Sequence, residues 1–288
     1  MGALLIVNDF ASGVTEELVH AVEAVLPAGT QTVHTTERGD ATRVAREAEA
    51  EGPLEAIYVF SGDGTYNEVL NGISGATPIG FVPGGGTSVL PRALGVPRDP
   101  VAAARRLAQG RTRRIALGRA NGRRFGFSAG VGLDAEIVRR VDRLGRSAEG
   151  KRPGDTAFVR EGLRLARDTR LRLEPALEVV GVGEAAFVLV ANGSPYTYAG
   201  AVGLRLAPRA RFEGGLDVVA PRALSPLRVP LLAWWALGRG SAHVVLHDAD
   251  RVELRCHHPL PLQLDGEDLG DVEEVVLEAE RDAVSVLV

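Results

Sequence analysis

Short apolar runs alternate with stretches of helical period through the first third of the chain, and this alternation limits the fold more than any other feature. Ala3 to Asn8 is a short apolar run that ends in a turn. Thr15 to Leu26 sets Leu18, Val22, Val25 and Leu26 on one side of a helix, Thr30 to Thr35 alternates like a strand, and Asp40 to Glu51 is an alanine-rich helix. Ile57 to Phe60, Tyr66 to Ile73 and Pro78 to Val82 continue as strand, helix and strand. Strands separated by helices of this length predict βαβ units on a parallel sheet. Ligands of such sheets bind in the loops after the carboxyl ends of the strands.

From about Arg111 the pattern changes. Arg113 to Leu117, Phe125 to Ala129, Ala176 to Val182, Ala185 to Ala191, Leu204 to Ala207, Leu216 to Ala220, Ala242 to Leu246, Arg251 to Arg255 and Leu260 to Leu264 read as strands. Asp134 to Arg143 and Thr156 to Arg167 are the clearest helices, with a polar link from Ser147 to Asp155 between them. Consecutive strands joined by short turns predict an antiparallel sandwich. The expected fold class is therefore α/β plus all-β: an α/β domain over 1–118, which 277–288 is able to join, and a β-rich domain over 119–276. A length of 288 residues suits two such domains.

A net charge of −4 argues against a protein built to grip nucleic-acid phosphates. Of the 33 basic residues only Lys151 is lysine, so a mechanism that needs a phosphate-binding lysine must use that residue or none. The start of the chain has no basic flank for a signal peptide. The apolar run from Val229 to Leu237 is about half a membrane span. A lone Cys256 fits a reducing compartment, and its neighbours His257 and His258 are too contiguous to wrap a zinc ion. The expected setting is cytoplasmic, with no transmembrane segment.

Two of the loops after strands are rich in glycine: Ser61-Gly62-Asp63-Gly64-Thr65 and Pro83-Gly84-Gly85-Gly86-Thr87. Glycines let a backbone approach a polyphosphate closely, and free N–H groups at a helix start point at an anion. Thr65 is expected to cap the helix that follows and to offer its hydroxyl. Asp63 beside phosphate makes sense with Mg²⁺ between the two anions. A plain Asp-Gly turn accounts for the first loop about as well. Neither loop matches a P-loop or G-x-G-x-x-G.

Ser61 to Gly72 resembles the G-G-D-G-T-x-N-E-v-x-N-G signature of the diacylglycerol kinase catalytic family of lipid kinases, to which sphingosine kinases are related. Asn8 to Gly13 resembles the family's opening N-P-x-S-G, with Asp9 in place of the proline, and Thr36 with Ala41 resembles its T-x-x-x-x-A segment. Phe127 to Ala135, then Asn192, Tyr198, Gly200, Pro208 and Glu213 to Val218, resemble the second domain. Leu264 to Glu267 resembles the terminal v-D-G-E.

The resemblance implies a kinase that uses ATP and Mg²⁺ to phosphorylate a lipid hydroxyl, in diacylglycerol or a similar lipid, during a transient peripheral contact with the membrane. Asn8, Thr36, Gly62, Asp63, Gly64, Thr65, Tyr66, Asn67, Glu68, Gly85, Gly86 and Thr87 would hold ATP. Glu213, with carbonyls of Ala210 and Gly215, would take a structural Mg²⁺. Glu267 would accept the proton of the lipid hydroxyl, with Asp265 as its partner. On an extended segment Asp265 and Glu267 share a side; Asp265-Gly266 is also a strong hairpin signal. Related folds often form homodimers, and no nucleic-acid partner is expected.

Departures from the pattern matter. The second loop's Thr, Asn and Asp positions hold Gly86, Ser88 and Val89, with Arg92 nearby as an anion partner. Glu213 stands where the family has an aspartate. Two alternatives stay open: a non-catalytic nucleotide- or lipid-binding member, and an NAD kinase, which shares the first glycine loop. Ser225 to Gly238, with Trp234 and Trp235 between Arg228 and Arg239, suits a membrane interface or a helix packed on the sandwich.

Overall fold

The computed structural model describes residues 2–145, 153, 155–228, 234 and 244–288. The polar link from Ser147, Lys151 and most of the segment around Trp235 lie outside the described residues. The chain forms two compact units, one from Met1–Ile115 with Asp282–Val288 and one from Ala116–Ser147 with Pro153–Arg281.

The first unit runs β1 (Leu4–Val7), α1 (Glu16–Glu23), β2 (Gln31–His34), α2 (Asp40–Glu51), β3 (Ile57–Ser61), α3 (Asp63–Gly72), β4 (Ile79–Pro83), α4 (Val89–Ala93) and α5 (Pro100–Leu107). Strand order is β2-β1-β3-β4, all parallel, with Leu4 opposite both Gln31 and Ile57, and Ile57 opposite Ile79. Every residue of β1, β3 and β4 is buried, as unbroken apolar runs with helices on both faces require. β2 is the polar edge. Capping fixes where the helices begin: Thr15 Oγ1 accepts from Leu18 N–H at 3.3 Å and Asp99 Oδ1 from Ala102 N–H at 2.7 Å. Val286 lies opposite Ile79 in parallel, so the last residues of the chain add a strand beside β4. Arg114 ties that strand down, donating to Asp282 Oδ1 at 2.8 Å, to the Asp282 carbonyl, and to the Gly75 carbonyl at 3.1 Å.

The second unit continues with β5 (Thr112–Ala120), which begins in the first, then β6 (Arg123–Phe125), β7 (Ser128–Val131), α6 (Leu133–Arg143), α7 (Asp155–Asp168), β8 (Leu177–Val179), β9 (Gly183–Ala185), β10 (Val188–Ala191), β11 (Thr197–Ala199), β12 (Val202–Leu204), β13 (Leu216–Val219), β14 (Val244–Ala249), β15 (Arg251–Leu264) and β16 (Glu267–Leu287). Its strands pair antiparallel in the order β14-β13-β10-β7-β15-β16. Two clusters of buried side chains fill it, one with Phe125, Val131, Leu177, Val190, Leu254 and Leu277, the other with Phe187, Leu189, Tyr196 and Leu206.

Several strand expectations need correction: Ala185 to Ala191 divides into β9 and β10, and Leu204 to Ala207 is strand only at Leu204, the end of β12. Arg251–Arg255 and Leu260–Leu264 belong to one strand, with a register shift between Arg255 and Leu260, a stretch that includes Pro259, which has no N–H for the ladder. Phe125 to Ala129 is two strands, β6 and β7, not one. The acidic stretch after Glu267, absent from the strands expected above, is the middle of β16.

Arginines neutralise that stretch. Arg124 donates to Glu280 through Nε at 2.8 Å and Nη2 at 2.5 Å, and Arg119 Nε donates to the same carboxylate at 2.7 Å. Burial alone would raise the Glu280 carboxyl, but the bonds from Arg124 and Arg119 outweigh it and hold it at about 2 instead of 4.5. An acid held low in the folded state contributes stability that is present above its unfolded value and lost as pH falls through its folded one. Unfolding free energy is therefore expected to decline between pH 4.5 and about 2, and Glu280→Gln to flatten that decline in denaturant titrations.

Candidate active site

Asn8, Thr36, the Gly62 loop and the Gly85 loop all follow the carboxyl ends of four neighbouring parallel strands. The two glycine loops touch. Gly84 N–H donates to the Ser61 carbonyl at 2.6 Å, and a methyl added to Gly85 would lie 2.8 Å from the Gly62 Cα. The Gly84 carbonyl in turn accepts from Gly13 N–H at 2.8 Å, which fixes the loop after β1 against the other two.

Thr65 is the hub between these loops. Its Oγ1 accepts from Asn8 Nδ2 at 3.0 Å and from Ser61 Oγ at 2.8 Å. It does not cap α3, contrary to expectation: the N-cap position is Gly62, and Thr65 sits inside the first turn with its N–H on the Gly62 carbonyl at 3.1 Å. Asp63 opens α3, and its carboxylate reaches the other loop, accepting from Val89 N–H at 2.9 Å and Leu90 N–H at 3.1 Å. It satisfies donors at the start of α4 that no local side chain caps. Ser88, in the left-handed region with φ 46°, closes its own loop by bonding to Gly85 N–H and carbonyl at 3.3 and 3.2 Å.

Thr36 directs both its N–H and its hydroxyl to Asp40 Oδ2 at 2.9 Å. The Thr36 backbone N–H, then Arg43, hold the Asp40 carboxyl well below the usual carboxylate range. Tyr66 faces inward: it is buried, its hydroxyl donates to the Ser61 and Val82 carbonyls at 2.6 and 2.7 Å, and its ring packs on Phe81. Burial pushes its phenol well up. Asn67 is buried, and its side-chain and backbone oxygens accept from Asn71 Nδ2. Glu68 lends its carbonyl to Thr42 Oγ1 at 2.8 Å. Tyr66 and Asn67 are thus buried, and within the motif Gly62, Asp63, Gly64, Glu68, Asn71 and Gly72 keep some exposure.

Beside the second loop is a pocket of about 240 Å³, lined by Gly13, Gly85, Gly86, Thr87, Arg92 and Arg98 among others. Drug-sized ligands need roughly 300–1,000 Å³, so this space suits phosphate groups rather than a whole nucleotide. Arg92 Nη1 also donates to the Thr87 carbonyl at 3.3 Å. Arg98 escaped the reading of the sequence because it belongs to no motif.

In the second unit, Asp265 and Gly266 form the two-residue turn between β15 and β16, with Leu264 opposite Glu267 and φ of 48° and 80°. The extended arrangement of Asp265 and Glu267 is therefore overturned, and their side chains part. Asp265, buried, accepts from Gly126, Phe127 and Ser128 N–H at 2.6, 2.9 and 3.0 Å. It holds the join that splits β6 from β7. Glu267 Oε2 pairs with Arg123 Nη2 at 2.6 Å. A separate buried cluster was missed: Asp134 accepts from Tyr196 Oη at 2.5 Å and Gln263 Nε2 at 2.9 Å. Burial pushes the Asp134 carboxyl up to about 6 against those bonds.

The residues expected at a metal lie in the loop before β13. Ala210 is buried, Glu213 is exposed, and Gly215 N–H donates to Asp248 Oδ1 at 2.6 Å. Among the described residues no group of three or more His, Cys, Asp or Glu side chains is arranged to hold a metal ion. Also among them, no helix is long and apolar enough to cross a membrane.

Removing the Asp265 carboxylate strands three backbone donors. Asp265→Ala is expected to cost about 2 kcal/mol or more in urea unfolding, since bonds to charged groups are worth about 1.5–3 kcal/mol each; an unchanged midpoint would contradict this anchoring.

Residues 2–120 match the model of the diacylglycerol kinase catalytic domain. The chain is 31% identical over 251 residues to a diacylglycerol kinase of Bacillus subtilis (strain 168), covering 83% of this chain and 79% of that protein. A diacylglycerol kinase of Staphylococcus aureus (strain Newman) is 34% identical over 114 residues, 38% of this chain and 36% of its own length. A crystal structure of a diacylglycerol kinase from Bacillus anthracis shares the fold, with TM-score 0.71, 21% identity, and coverage of 99% of this chain and 96% of that one. With similarity of this extent to the Bacillus subtilis protein, the chain belongs to the diacylglycerol kinase catalytic-domain family of lipid kinases.

Proposed function

We propose that the protein transfers the γ-phosphoryl group of ATP, with magnesium, to the free hydroxyl of diacylglycerol or a closely similar lipid. The observation that carries this reading is the pocket lined by Gly84, Gly85, Gly86, Arg92 and Arg98, in the loop region that Asp63 anchors through Val89 and Leu90 N–H. Backbone N–H groups and arginine forks suit phosphate oxygens. Asp63, anchored between both loops, fits a magnesium ion carried with the nucleotide better than direct contact with phosphate, because two anions repel. Bound there, the ion supplies positive charge to the phosphate oxygens.

Glu267 takes the proton of the lipid hydroxyl. The lipid oxygen bonds to the γ-phosphorus, the bond from that phosphorus to the β–γ bridging oxygen breaks, and ADP leaves with the electron pair. Arg123 holds Glu267 Oε2 in place and competes with the hydroxyl for that oxygen. The enzyme works from the cytoplasm by transient contact with a bilayer. Leu227 and Trp234, 94% and 53% exposed, support an apolar contact of that kind.

Glu267→Gln keeps the shape and removes the base. Phosphoryl transfer is expected to fall by about 10²–10⁴-fold in a variant that still unfolds as a cooperatively folded protein; full activity would sink the assignment. Arg98→Gln is expected to raise the KM for ATP about 10-fold through loss of a charge-assisted hydrogen bond while leaving kcat near wild type. An unchanged KM would remove Arg98 from the phosphate site.

A further inference from the structure

The loop expected to carry a structural magnesium ion does not fit one. Its sole side-chain donor would be Glu213, exposed and one methylene longer than an aspartate, whereas magnesium demands near-ideal octahedral oxygen geometry. The surrounding carboxylates have other partners. Asp217, buried, accepts from Asp248 N–H at 3.0 Å and lies 3.1 Å from His247 Nδ1, whose Nε2 is 2.7 Å from Arg209. Asp248 Oδ1 accepts from Gly215 N–H at 2.6 Å.

A guanidinium completes this arrangement. Arg281 reaches Asp248 Oδ1 through Nη1 at 3.0 Å, the Asp248 carbonyl through Nη2 at 3.1 Å, and Asp250 Oδ1 through Nε at 2.7 Å. It also stands directly over the loop. A methyl on Gly215 would lie 2.6 Å from the Ala249 carbonyl, the backbone contact that restricts residue 215 to glycine, and 2.8 Å from Arg281 Nη2, which packs against it. Asp248 and Asp250 already take their positive charge from the guanidinium, so neither is left for a divalent ion.

We propose that Arg281 is the built-in cation of the loop from Ala210 to Gly215, and that this loop holds its shape without a bound divalent ion. The planar fork satisfies two carboxylates and a carbonyl at once, which is the geometry arginine provides and a lysine does not. The nucleotide-borne magnesium proposed above belongs to the other unit and is independent of this inference.

Thermal unfolding of the full chain, without nucleotide, tests it. With EDTA or with millimolar MgCl₂ the wild type is expected to melt within about 1 °C of the same temperature. Arg281→Gln is expected to lower the melting temperature by about 2–4 °C, the shift that corresponds to a modest ion-pair loss in a chain of this size; Arg281→Lys is expected to restore less than half of it. Should Arg281→Gln fail to fold, Asp248→Asn removes the same contact from the other side and is expected to show the same drop. A rise of several degrees with MgCl₂ that disappears in Glu213→Gln would overturn the inference, as would Arg281→Gln and Asp248→Asn variants that melt like wild type.

Discussion

Backbone contact between Gly62 and Gly85 is the constraint on which the first unit's site depends. With any side chain at Gly85 the loops after β3 and β4 would be pushed apart, since its first carbon would stand 2.8 Å from the Gly62 Cα. Only at that separation can the Asp63 carboxylate span from the start of α3 to the first two N–H groups of α4. Gly84 extends the contact to the loop after β1 through Gly13, and Asn8 then reaches Thr65. Three loops from three strands thus behave as one rigid edge. Rigid backbone N–H groups are what a polyphosphate site needs, because they require no reorganisation when the anion arrives.

Charge is organised around arginine throughout. With Lys151 the sole lysine, every described ion pair that is not made by histidine uses a guanidinium. Arg92 and Arg98 line the phosphate-sized pocket, Arg123 holds Glu267, Arg119 and Arg124 clamp Glu280, and Arg281 sits over Gly215. A net negative charge is no obstacle to binding ATP when the positive groups are placed this locally. Fork-shaped donors also fix direction, which a flexible ammonium does less well.

Hydrophobic pattern made the first unit legible because β1, β3 and β4 are buried on both faces, so their apolar runs are unbroken. It failed on β16, where Glu273, Glu274, Glu278 and Glu280 look like a solvated surface; the ladder with β15 and the alternating burial of Val275 and Leu277 make the strand, and arginines distant in sequence meet Glu278 and Glu280. The gap expected between Arg255 and Leu260 is absorbed within β15 as a register shift. The motifs located the site edge but not the tasks of single residues. Asp265 looks like a partner for Glu267 and instead binds three N–H groups from 126–128, a contact across more than a hundred residues that no local pattern encodes. Tyr66 stands inside the glycine motif yet points into the core, because helical period turns it toward Phe81. Arg98 lies outside every motif and is visible only once α4 and α5 are folded beside the second loop.

Transfer of label from γ-³²P-ATP, with magnesium, to vesicles containing diacylglycerol tests the central claim most directly. Labelled phosphatidic acid, dependent on both the nucleotide and the lipid, is the expected product. ATP that binds and stabilises the protein while no lipid of a panel of diacyl, monoacyl and sphingoid alcohols acquires label would contradict it, and label appearing on NAD instead would assign the same glycine loops to a different acceptor.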